Sequence, residues 1–427
     1  MPITPHSSSK DTPMHPSRRT VTRGLAASLA GLALPAIGAP TALAAPRAVT
    51  ADPRTARVQA ALDALVAWPV VGAVGAFVAD GRVVELAAGR RSAAFSAPAR
   101  PSSVARVASV TKAMTATVAF QEIERGTLRL DSTIGEVLPG LWPGREDVTL
   151  GQLLNHTSGM PDAIWVLLRH RALWDLPLED VQEMVARHYG LRELVEIARQ
   201  DAWWFEPGTA WGYSNTGYVV AQLMVEAVTG RPLARLIRER VFRPAGMHRS
   251  RLEEGTLVRG AEMEDAAVRP GETARFTTLD QSVFAGAAAV IATAGDVVRF
   301  YRALMQGRLV SPASVDRMIT PVGAAVPAGY GYGIFLVPDP ARPGGLLYGH
   351  DGGGFGSASL ALASRDGERA MAFTFVGRPY WEAGAAEVWE RQLAVFRAAV
   401  ALPGGVGSGR GPAGGLGRGG GGAGRLG

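Results

Sequence analysis

The chain has 427 residues, no cysteine and a formal net charge of +6, so without disulfides it must stand on a hydrophobic core, for which it is long enough. The positive balance does not identify a nucleic-acid binder. Lys10, Arg18, Arg19 and Arg23 outweigh Asp11 near the start, Arg410, Arg418 and Arg425 lie near the end, and the residues between are close to neutral, with no zinc-finger spacing or aromatic–basic stripe.

Ser17-Arg18-Arg19-Thr20-Val21, an apolar run over 24–34 and Ala42-Leu43-Ala44 follow the order of a twin-arginine export signal with a small-x-small cleavage site. Residues 1–44 are therefore expected to be a signal peptide, and the protein to act secreted, outside the cytoplasm. The apolar run is shorter than the roughly 20 residues of a membrane span, and no stable span is expected elsewhere. Residues 403–427 are mostly glycine and are expected to be a disordered tail. The folded domain is expected over 45–402.

Val58, Leu62, Leu65 and Val66 have helical spacing and predict a helix over 54–67. Residues 70–78 and 82–88 flank Asp80-Gly81, a two-residue hairpin turn. A Ser/Pro/Ala-rich stretch over 92–103 leads to Val107-Ala108-Ser109, and a helix is expected from there to about Arg125, stopped by Gly126. Ser109 then stands at a helix N-terminus, where free N–H groups and the dipole favour an alkoxide or oxyanion. Lys112 lies one turn on, on the same face. Thr149 and Gln152 form a capping box. The apolar spacing from 162 to 200 is helical. Trp203, Trp204, Phe205 and Trp211 precede Tyr213-Ser214-Asn215, and helices follow over 216–228 and 232–241. Thr293 caps another, Ser311-Pro312 opens one more, strands are expected over 346–350, 357–363 and 370–376, and a helix closes the fold over 382–402. This order predicts an α+β fold, an α/β sandwich. One antiparallel sheet is built from both ends of the chain and flanked by helices, with a mostly helical lobe inserted.

Residue usage singles out the chemistry. Lys10 and Lys112 are the only lysines beside 42 arginines, and Asn155 and Asn215 the only asparagines. Arginine cannot give up its proton near neutral pH, whereas a desolvated lysine can. Ser-x-x-Lys is common by chance, but a lone lysine three residues after a serine is a candidate base beside a candidate nucleophile. The alternative, a solvated helix lysine, fits poorly with a chain that elsewhere uses arginine. Tyr213 offers a phenol that can shuttle a proton, and Asn215 an amide for a substrate amide. Taken alone, that tripeptide is more usually a structural turn, and His350 reads equally as a loop histidine. Tyr348-Gly349-His350-Asp351-Gly352-Gly353-Gly354 lacks the Gly-Lys-Ser/Thr ending of a phosphate loop. A glycine-rich strand edge lets a substrate approach closely, and one of its N–H groups paired with that of Ser109 can form an oxyanion hole.

Ser109-Val110-Thr111-Lys112, Tyr213-Ser214-Asn215 and His350-Asp351-Gly352, with 153–161 and Glu206-Pro207-Gly208-Thr209 as flanking signatures, resemble the motifs of penicillin-recognising serine hydrolases. The chain looks like the class C β-lactamase branch, and closest to secreted D-alanyl-D-alanine carboxypeptidases. The resemblance covers 55–400 and implies a β-lactamase/transpeptidase-like fold and an acyl-enzyme on Ser109. Lys112 and Tyr213 would share the proton handling, and the N–H groups of Ser109 and Gly353 would form the oxyanion hole. Asn215 would hold the acyl amide, and His350 would hydrogen-bond Tyr213. It implies a peptidoglycan-type peptide, a β-lactam or a small ester or amide as substrate, with no cofactor and no metal. A monomer is expected. One departure stands out. Asp351 and Gly353 occupy positions where the carboxypeptidases carry hydroxyls that help bind a terminal carboxylate. An anionic Asp351 would repel that carboxylate, which keeps an esterase or amidase open beside the carboxypeptidase and β-lactamase. A non-catalytic penicillin-binding or sensor protein is the remaining alternative, against which the intact Ser109, Lys112 and Tyr213 stand.

Overall fold

The computed structural model describes residues 52–172, 175–253 and 262–401. The expected signal peptide and glycine-rich tail lie outside them. Helix α1 (Pro53–Leu65) starts on Asp52, whose carboxylate accepts from the Arg54 N–H, with Pro53 in the first turn. It leads into strands β1 (Gly72–Ala79) and β2 (Arg82–Gly89). Asp80 and Gly81 both have positive φ (49° and 73°), the type I′ geometry that matches strand twist.

Four strands from the other end complete the sheet: β3 (Phe335–Pro338), β4 (Leu346–Gly353), β5 (Ser357–Ala363) and β6 (Ala370–Val376). The order is β2-β1-β6-β5-β4-β3. All neighbours are antiparallel, with Gly72 opposite Val376 and Ala76 opposite Ala372 where the two ends of the chain meet. Every residue of β1 and β6 is buried, because helices cover both faces. On one face Leu62 of α1 and Val388 and Phe396 of the closing helix Glu382–Val400 pack on Phe77, Phe373 and Phe375. Strands covered on both faces read as continuous apolar runs, not alternating ones, which is why these segments are recognisable in the sequence.

The other face carries the inserted helices. Helix α2 (Thr111–Glu124) is buried from Thr111 through Glu122, and its small residues Ala113, Ala116 and Ala119 admit close neighbours. One neighbour is α3 (Asn215–Thr229), opened by Ser214, whose hydroxyl accepts from the Gly217 N–H, and closed by Gly230 at φ 64°. The expectation of a sheet from both ends with a helical lobe between them agrees with this arrangement.

Two local expectations are corrected. The helical pattern over 162–200 is three short helices, Ala163–Leu167, Leu178–Ala186 and Leu191–Ala198. Pro177 and Gly190 precede the later two, and Arg169 and His170 turn the chain at φ 53° and 56°. Ser109 does not open an α-helix directly. It sits in a 3₁₀ turn, Ala108–Val110, that feeds α2.

Candidate active site

The Ser109 turn is strained and clamped. Ala108 adopts φ 46°, unfavourable for a residue with a Cβ. Thr111 Oγ1 donates to Ala108 O at 2.7 Å and accepts from Val290 N–H at 3.1 Å, while Ser359 Oγ of β5 donates to Val107 O at 2.7 Å. Strand β4 presses on the same turn through Gly352. A Cβ there would lie 2.2 Å from Ser359 Oγ and 2.5 Å from Val107 O. Gly352→Ala should therefore destabilise the protein by about 1–3 kcal/mol and displace Ser109. A melting temperature together with kcat for an ester checks this, and an unchanged pair would show that the close approach is dispensable.

Lys112 is fully buried. Its Nζ lies 3.2 Å from Ser109 Oγ, 2.7 Å from Asn215 Oδ1 and 3.2 Å from Ala287 O. These three acceptors satisfy an ammonium. They also suit a free amine, whose two N–H groups keep Asn215 and Ala287 while its lone pair accepts from the Ser109 hydroxyl. Among them only the serine can reverse its role. Burial pushes Lys112 down to about 7, against the opposing pull of Asp162 and Asp351. A free amine is thus well populated at neutral pH, as a general base requires.

Tyr213 is half-buried, and desolvation pushes its phenol well above the usual range, the Ser109 hydroxyl opposing this. Its ring lies 4.6 Å from Lys112 Nζ, and the ring of Tyr218 lies 5.3 Å away. Between the two candidates, Lys112 is the one ready to take the Ser109 proton, and Tyr213 stays a protonated phenol able to donate.

The segment before α3 is held by His156, which has φ 62° and is fully buried. Its backbone O accepts from Gly212 N–H at 2.9 Å, and its Nδ1 accepts from Ser214 N–H at 3.2 Å. Burial, with Lys112 and His350 nearby, pushes it far below the ordinary histidine range, so it is neutral. Its ring stacks 4.2 Å from Tyr213. The flanking signature around Asn155 and His156 is therefore a mount for Tyr213-Ser214-Asn215.

His350 differs from expectation. Its Nε2 pairs with Tyr330 OH at 3.0 Å and its Nδ1 with Asp351 O, so its ring nitrogens are engaged away from Tyr213, whose ring centroid is 6.2 Å off. The reason is Tyr330, buried in the segment before β3 and unmarked by any motif. Asn215 also has prior engagements. Its Oδ1 faces Lys112 and its Nδ2 donates to Asp162 at 2.8 Å, which leaves one N–H and one lone pair of its amide for a substrate. Asp351 is half-exposed. Its Oδ1 is 3.4 Å from His350 Nδ1, and its charge acts on both Lys112 and Tyr213. Gly353 ends β4, exposed, with the Arg378 guanidinium 3.4 Å from where its Cβ would be. Arg378 donates to Gly354 O. The residues that residue usage did not mark are Asp162, His156, Ala287 and Tyr330. All four reach the site through contacts distant in sequence, and only His156 lies in one of the flanking signatures.

The family model described as Beta-lactamase matches residues 58–394. Penicillin-binding protein 4 of Amycolatopsis lactamdurans is 31% identical over 314 residues, which cover 68% of this chain and 76% of that protein. Penicillin-binding protein 4* of Bacillus subtilis is 28% identical over 304 residues, 65% of this chain and 61% of the relative. Among solved structures, a D-stereospecific amidohydrolase from a Streptomyces species superposes with a TM-score of 0.68 at 30% identity, over 81% of this chain and 98% of that one.

Proposed function

The chain belongs to the Beta-lactamase family, a family of serine hydrolases, and we propose that it is an exported amidohydrolase that cleaves amides and short peptides of D-configured residues through an acyl-enzyme on Ser109. Lys112, as free amine, takes the Ser109 proton as Oγ attacks the carbonyl. The N–H groups of Ser109 and Gly353 hold the oxyanion, and Tyr213 passes a proton to the departing amine. Water then releases the acyl group by the same groups in reverse.

The observation that carries the choice of substrate is Asp351. A half-exposed carboxylate stands at the site, with no arginine partner among the described residues. It disfavours a substrate carboxylate and favours a neutral or cationic group, such as the free ammonium of a D-amino acid amide. The likeness to the Streptomyces amidohydrolase supports the same class. A second reading, a D-alanyl-D-alanine carboxypeptidase, is favoured by the penicillin-binding relatives and by Arg378, whose guanidinium beside Gly353 offers a carboxylate partner. Kinetics on two substrate sets separate them. D-amino acid amides with a free amino group should have a kcat/KM at least about tenfold above that of an N-acyl-D-Ala-D-Ala peptide. Asp351→Asn should raise KM for the amides several-fold and leave N-acylated amides unchanged. Faster release of D-Ala from the peptide would decide for the carboxypeptidase.

A further inference from the structure

Asp162 is a carboxylate that the chemistry above does not use. It precedes the short helix Ala163–Leu167, and its Oδ1 accepts from Ile164 N–H at 2.9 Å. A helix cap needs no more than that. Its Oδ2, however, is turned to Asn215 and accepts from both the backbone N–H at 3.0 Å and Nδ2 at 2.8 Å. All three partners are donors, the pattern of an ionised carboxyl; with Lys112 they oppose the burial that pushes this 6% exposed carboxyl above the usual range. Two bonds to one residue fix both the backbone and the amide of Asn215. Because only Nδ2 can donate to a carboxylate, the other end of the amide, Oδ1, must face Lys112 Nζ.

We propose that Asp162 is a positioning residue for the reaction: as a buried anion it clamps Asn215 against Lys112 and sets the pH at which Lys112 becomes a free base. The inference rests on Lys112 as the base of a serine hydrolase. The titratable groups around Lys112 are Asp162, Asp351 of β4, His156, Tyr213 and Tyr218 of α3, with His350 beyond His156. His156 and the tyrosines are kept neutral by burial. The carboxylates are the charges that favour the ammonium, and the half-exposed Asp351 is screened by water. Asp162, buried and tied to Lys112 through one amide, has the greater leverage.

The lysine content allows a direct measurement. Lys10 and Lys112 are the only lysines, so lysine labelled with carbon-13 at Cε gives two resonances in the full chain, and Lys10→Arg assigns them. Asp162→Asn keeps the side-chain shape and removes the charge. The Lys112 resonance should then titrate lower by about one pH unit or more, and the acid limb of kcat/KM for a p-nitrophenyl ester should move down with it. Asp162→Ser, which can still cap Ile164 but has neither the charge nor the reach to Asn215, should give the same shift and serves if the Asn variant does not fold. Asp162→Glu, which restores the charge, should return the titration toward that of the parent. An unmoved Lys112 titration in a folded Asn or Ser variant overturns the proposal, and so does a fall in melting temperature with an unmoved limb. Absence of ester hydrolysis by the parent would count against the hydrolase reading, while the resonance shift still answers for Asp162.

Discussion

Ser109→Ala should lower kcat for a p-nitrophenyl ester or a D-amino acid amide by on the order of 10⁴-fold or more, with the fold intact. The serine oxygen is the only part removed, and the 3₁₀ turn of Ala108–Val110 accepts alanine as readily as serine. Lys112 loses the partner 3.2 Å away but keeps Asn215 Oδ1 and Ala287 O, one acceptor for each N–H of its free amine, so the melting temperature should change little where Lys112 is unprotonated. Tyr213 loses the hydroxyl that acts on its phenol. Because the residual groups still bind substrate, KM should move far less than kcat. Intact-mass measurement supplies the second readout. A fluorescent penicillin, offered as an acylating probe, should add covalently to the parent and not to the variant. Turnover of Ser109→Ala within tenfold of the parent would sink Ser109 as nucleophile, and labelling that survives the substitution would place the acylated residue elsewhere.

What the sequence revealed and what it hid have physical causes. Ser109, Lys112 and Asn215 were visible because the chain is so poor in lysine and asparagine that their positions carry information. The sheet was visible because Asp80-Gly81 marks its hairpin and because β1 and β6 form apolar runs buried along their whole length. The breaks within 162–200 were not, since apolar spacing continues across them and Arg169 and His170 take positive φ without a glycine to announce it. Strand β3 escaped because it is four residues long and ends in Pro338. Asp162 has the local signature of an ordinary helix cap, and its second role lies across 53 residues, at Asn215. His350 was expected to bond Tyr213, but the ring it meets, Tyr330, comes from a segment with no motif. Local chemistry is legible in a sequence, whereas a buried polar network is decided by which distant segments the fold brings together.

The same network explains why one lysine was kept where arginine is otherwise the rule. Lys112→Arg should reduce kcat/KM by on the order of 10³-fold at neutral pH, although it preserves a positive charge. Arginine holds its proton at any pH at which the protein folds, so it cannot accept the proton of Ser109. Its larger planar head must also enter a fully buried site, at a cost of about 1–3 kcal/mol. Two measurements separate lost basicity from misfit. The first is pH dependence. In the parent, Lys112 is protonated below about 7 and a free amine above it. Activity should therefore rise with pH through that region and fall as pH drops through it, because the ammonium has no lone pair for the serine proton. In Lys112→Arg this limb should vanish, leaving a low rate that no longer follows that titration. The second is Lys112→Met, which fits the volume without a charge and should be as inactive as the arginine variant. An arginine variant with activity within tenfold of the parent, or one that keeps the limb near 7, would remove Lys112 from the role of base and return that role to Tyr213.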